Sequence, residues 1–99
     1  MSGKTNSKMP VIFIGHGSPL NALPHNDFTK TLEAMGRSLP RPRAILAISA
    51  HWITNDTKIT SHASPKTIHD FFGFPEELYQ LYYPAPGWPQ LAFQIAQTL

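Results

Sequence analysis

The chain has 99 residues, enough for one small domain that buries about 60–70% of its unfolded surface. Hydrophobic residues make up 41% and charged residues 14%, below the usual ~25%, so the composition is not that of a charge-rich disordered chain. Net charge is +2 with the basic side chains scattered, which argues against a nucleic-acid-binding stripe, and the lack of cysteine excludes a disulfide scaffold or a thiolate metal site in these residues.

Residues 1–9 are polar and basic and read as a flexible N-terminal tail. Pro10 then opens Val11-Ile12-Phe13-Ile14, a β-branched and aromatic run expected to be a buried strand. This run is too short for a signal-peptide core, and no stretch approaches the ~20 apolar residues of a membrane span. A cytoplasmic protein without membrane or nucleic-acid partners is the expectation. Gly15 and Gly17 flank His16, where glycine allows a sharp turn and a close backbone approach to a ligand. A Pro-rich loop covers 18–25.

Asn26 or Asp27 can cap a helix whose apolar face carries Phe28, Leu32, Met35 and Leu39, at spacings of four, three and four. Pro40 and Pro42 end it. Ala44 to Ser49 reads as a second buried strand, completing a βαβ unit with a right-handed crossover. Thr57 to His62 alternates and suggests a short third strand. Thr67 to Pro75 looks like an ordered loop, with Phe71, Phe72 and Phe74 around Gly73. Glu76 to Tyr83 suggests a short helix or turn with Leu78, Leu81 and Tyr82 inward. Pro89 suits a first helical turn, with Leu91, Ile95 and Leu99 on the next apolar face.

The expected fold class is therefore α/β, a mostly parallel sheet flanked by helices. Three strands and three helices cannot cover both faces of such a sheet, so the sheet is expected to be incomplete in this chain. Residues 10–99 then read as the N-terminal part of a single catalytic domain.

His16 and His51 carry the chemical argument. Each stands two residues past an apolar run, and strand ends on one sheet edge are where open α/β folds place ligands. A pair of neutral imidazoles there forms half of a metal site. Taken singly, His16 can equally be a turn histidine bonded to nearby backbone, and His51 a histidine packed beside Trp52. His69, in Thr67-Ile68-His69-Asp70-Phe71, can serve as a substrate hydrogen-bond donor or proton carrier, or be an ordinary loop histidine. Asp70 does not easily orient its immediate neighbour. His25 and His62 read as surface residues. The aromatic side chains concentrated in the second half supply core, and some can wall a pocket for a flat ligand. Ser18 lies outside any nucleophile-elbow pattern.

Five motifs occur in order: Gly15-His16-Gly17-Ser18-Pro19, Leu39-Pro40-Arg41-Pro42, Ser49-Ala50-His51-Trp52, Thr67-Ile68-His69-Asp70-Phe71 and Tyr83-Pro84-Ala85-Pro86-Gly87. The series resembles the DODA-type extradiol ring-opening dioxygenases of the class III, LigB-like superfamily, nearest to the bacterial 4,5-DOPA type, over residues 9 to 99. The resemblance implies an oxidoreductase with an α/β fold and a mononuclear non-haem Fe(II), or Zn(II) in the same site. It implies His16 and His51 as ligands, a DOPA-like catechol and O2 as substrates, and His69 as a candidate substrate or proton contact. A homo-oligomer is allowed. Two further histidines of the family pattern, one a ligand and one near the metal, have no counterpart among these residues. If 99 residues were the mature length, a non-enzymatic metal-binding or interaction module would be the alternative.

Overall fold

The computed structural model describes residues 8–23 and 25–99, so most of the N-terminal tail lies outside the described residues. The chain divides into two compact units, Met1–Ala47 and Ile48–Leu99.

The α/β expectation is overturned. Among the described residues there are helices and connecting segments but no strand, hence no βαβ unit and no parallel sheet. The apolar runs 11–14 and 44–49 and the alternating segment 57–62 all lie outside regular structure. Their side chains are exposed except for half-buried Ile59, with Val11 at 101%, Phe13 at 99% and Ile48 at 94% relative accessibility. The physical reason is that β propensity reflects packing on a pleated surface more than an intrinsic backbone preference. A ladder needs a second segment to take up its N–H and C=O groups, and no described residues supply one here.

Helical signals are local, and these the chain obeys. In the first unit a 3₁₀ turn, Pro19–Ala22, precedes α1, Asp27–Ser38. Asn26 caps α1 reciprocally: its side chain accepts from Thr29 N at 2.9 Å, and Thr29 Oγ1 accepts from Asn26 N at 2.9 Å. Two of the orphan donors of the helix start are thereby satisfied. Asp27 in the first turn and Arg37 in the last complement the helix dipole. Leu39 leaves the helical region at ψ 149°, as expected of a residue before proline, while its N–H still reaches Met35 O at 3.2 Å. Leu32, Met35 and Leu39 are half-buried, whereas Phe28 is exposed.

In the second unit α2 is a single turn, Glu76–Tyr79, and α3 spans Pro89–Ala96 with Pro89 in its first turn. Leu78, 2% exposed, and Ala92 are the buried apolar residues. Leu81 and Tyr82, expected inward, are exposed, as is Leu99. The loop 67–75 folds back against the segment after α2. Thr67 Oγ1 accepts from Tyr83 N at 3.0 Å and donates to Tyr83 O at 3.1 Å. Tyr79 OH donates to Phe71 O at 3.3 Å and accepts from Phe74 N at 3.4 Å. The Phe71 ring packs edge-to-face on Phe74 at 5.4 Å between centroids and tilted by 47° against Tyr79 at 5.0 Å. Gly73 makes the reversal possible with a φ of 82°.

Candidate metal centre

His16 sits on a turn that its own neighbours build. Gly17 takes a φ of 71°, a conformation that L side chains rarely adopt. The turn directs the His16 ring so that Nδ1 lies 2.9 Å from Gly17 O. A carbonyl oxygen only accepts, so Nδ1 carries the proton and Nε2 carries the lone pair. Asn21 Nδ2 donates to His16 O at 2.8 Å, and Asn21 N donates to Ser18 O at 3.0 Å. Ser18 Oγ accepts from Leu20 N at 3.1 Å and starts the 3₁₀ turn. Asn26 Nδ2 reaches Asn21 Oδ1 at 3.4 Å, so the histidine turn is linked to the cap of α1.

His51 belongs to the second unit. Ser49 closes a tight turn before it: Ser49 Oγ accepts from His51 N at 3.1 Å and Ser49 O accepts from Trp52 N at 3.3 Å. The His51 Nδ1 lies 3.4 Å from Asp70 Oδ2. Sequence reasoning considered Asp70 only against its neighbour His69 and missed this partnership across 19 positions. One signal was available. Of the six acidic residues, Asp27, Glu76 and Glu77 belong to helix first turns and Glu33 to the body of α1, which leaves Asp56 and Asp70 without a helical task.

The dipeptide His69-Asp70 sends its side chains to different partners. His69 Nε2 lies 2.8 Å from Leu81 O, so Nε2 is the proton-bearing nitrogen and Nδ1 holds the lone pair. Its ring stands edge-on to Phe71 at 6.0 Å and tilted against Tyr79 at 6.3 Å. His69 is thus built into the aromatic cluster around α2. His25 and His62 are exposed, and His25 lies 4.0 Å from Glu33 on the surface. Among the described residues no three His, Cys, Asp or Glu side chains come together.

Both candidate ligands suit a borderline metal ion. Each is an imidazole with an oxygen acceptor beside Nδ1, the arrangement that orients metal-binding histidines through Nε2. Nitrogen donors of this kind suit Fe(II) and Zn(II) alike.

Comparison with known proteins agrees with the motif series. The chain is 48% identical over 95 residues to the 4,5-DOPA dioxygenase extradiol of Escherichia coli, a match covering 96% of this chain and 35% of that protein. By sequence, this chain is homologous to the 4,5-DOPA extradiol dioxygenases. A Beta vulgaris protein of the same name is 39% identical over 100 residues, covering 98% of this chain and 37% of its own length. The dioxygenase tasH of Hapsidospora irregularis is 38% identical over 98 residues, covering 88% and 30% respectively. The chain therefore spans about a third of the length of these dioxygenase relatives. No family model matches it, and no solved structure matches it.

Proposed function

We propose that the protein is an extradiol dioxygenase that opens the ring of a DOPA-like catechol with O2 at a mononuclear non-haem metal, Fe(II) or Zn(II) in the same site. The observation that carries this reading is the 48% identity, over nearly the whole chain, to a protein named 4,5-DOPA dioxygenase extradiol. The presentation of His16 and His51 supports it independently. Their Nε2 atoms are the donors that would hold the ion.

An ion held by His16 and His51 would supply Lewis acidity and redox coupling between the catechol and O2. The chain's residues do the rest. The hydrogen-bonded turns at His16 and His51 set the direction in which each side chain leaves its own backbone. His69 is offered as the proton contact: its Nε2–H is held by Leu81 O, so Nδ1 is the basic atom available to a catechol hydroxyl. Aromatic side chains of the second unit, among them Trp52 and Phe72, supply exposed flat surface for a ring substrate. Both oxygen atoms of O2 enter the ring-opened semialdehyde, so the reaction needs no external reductant.

The test is direct. The intact protein, loaded with Fe(II) and supplied with 3,4-dihydroxyphenylalanine under oxygen, should form a yellow ring-opened product. No product from this or any other catechol would reject the reading.

A further inference from the structure

We propose that Asp70 is a positioning residue for His51, holding the imidazole with its proton on Nδ1 and its Nε2 lone pair presented to an ion. The ion half of this proposal rests on the function proposed above; the ring-orienting half does not.

The geometry starts with the backbone. Ser49 accepts two backbone N–H groups at the turn before His51, through Oγ from His51 and through its carbonyl from Trp52, and so sets where the side chain departs. That turn fixes the Cα–Cβ direction but leaves the ring free to rotate by 180° about its last bond, which puts ring carbons where the nitrogens stood (Cδ2 for Nδ1, Cε1 for Nε2). A group beside one nitrogen is needed to choose between the two orientations. Asp70 Oδ2, 3.4 Å from Nδ1, is such a group.

Asp70 is itself held. The loop carrying it is fastened on both sides of the carboxylate, to α2 and to the segment after it. Thr67 exchanges two hydrogen bonds with Tyr83, His69 Nε2 donates to Leu81 O, and Tyr79 OH donates to Phe71 O. Thus the residues immediately before and after Asp70 are each hydrogen-bonded elsewhere, which holds the loop from which the carboxylate reaches His51. An ionised carboxylate only accepts, so it selects the tautomer with hydrogen on Nδ1. The pair is open to solvent, with side-chain exposures of 56% for His51 and 65% for Asp70. Exposed ion pairs contribute little to folding, so the consequence of the contact lies in ring orientation rather than in stability. Carboxylates behind metal-binding histidines act in this way, and their removal weakens metal binding by about 10- to 100-fold. Solvent exposure places the expected loss near the lower limit, about 10-fold.

The experiment uses the intact protein labelled with ¹⁵N, under mildly alkaline conditions that leave imidazole neutral. Long-range ¹H–¹⁵N correlation reads the His51 ring tautomer in the metal-free state, and competition with a chromogenic chelator reads the affinity for Zn(II). In the parent protein the Nδ1–H tautomer should dominate. Asp70→Ala should mix the tautomers and weaken Zn(II) binding about 10-fold. Asp70→Asn keeps a carbonyl acceptor at the same reach and should restore most of both. An unchanged His51 tautomer in Asp70→Ala would overturn the proposal. So would a tautomer that shifts while Zn(II) affinity stays constant, provided that His51→Ala abolishes binding. If His51→Ala leaves Zn(II) binding intact, the ligand assignment fails instead, and the tautomer measurement alone decides the role of Asp70.

Discussion

Replacing Gly17 with alanine should disable the His16 turn, whereas the same change at Gly15 should not. Gly17 holds a φ of 71°, and a non-glycine residue in that region costs about 1–2 kcal/mol. A Cβ at this position would also stand 3.1 Å from Asn21 Nδ2, the atom that donates to His16 O. Displacing that donor forfeits a further ~1 kcal/mol. Together the turn is destabilised by roughly 2–3 kcal/mol relative to its relaxed alternatives, and an ion that needs the turn intact must recover this amount. At 1.4 kcal/mol per factor of ten, the affinity for Zn(II) should fall roughly 30- to 150-fold. Gly15 has no positive φ and an added Cβ there meets nothing within 4 Å, so Gly15→Ala should leave affinity within about twofold. Chelator competition on the intact protein measures both. Equal affinities for the two variants would refute the argument that the left-handed turn presents His16.

Asn26→Ala removes the side-chain half of the α1 cap and should lower stability by about 1 kcal/mol in denaturant titrations; combining it with Thr29→Ala should add less than the sum, because the two side chains serve one reciprocal motif. Leu78→Ala empties the most buried side chain of the second unit and should cost about 2–5 kcal/mol, read as an earlier unfolding midpoint and a loss of near-ultraviolet circular dichroism from the Phe71–Tyr79 cluster. His51→Ala should abolish retention of a metal ion through desalting, whereas His62→Ala, a change at an exposed histidine, should retain it; equal metal content in the two would reject the assignment of His51.

The parts of this protein that could be read from its sequence are those set by nearest neighbours. Asn26, the apolar spacing of Leu32, Met35 and Leu39, and Pro40 define α1 within a dozen positions, and Pro89 opens α3 for the same local reason. Val11 to Ile14 and Ala44 to Ser49 mislead because a strand is a relation between distant segments, and a β-branched run cannot announce whether a partner lies beside it. Leu81 and Tyr82 were expected inward from a helical periodicity that α2 is too short to sustain, since it ends at Tyr79. The His16 turn was legible because glycine marks a left-handed residue, and Gly17 is one. Of the Asp70–His51 contact only an acidic residue without a helical task was legible, because nothing in a 19-residue separation encodes which ring its carboxylate reaches.

The proposed function assigns His16 and His51 as ligands of its metal ion. Pulsed electron paramagnetic resonance on the nitrosyl adduct of the Fe(II)-loaded intact protein counts the imidazoles bound to that ion through their ¹⁴N modulation. The account predicts signals from both histidines in the parent protein, and the loss of one imidazole in His16→Ala and of one in His51→Ala. A modulation pattern unchanged by either substitution would contradict it.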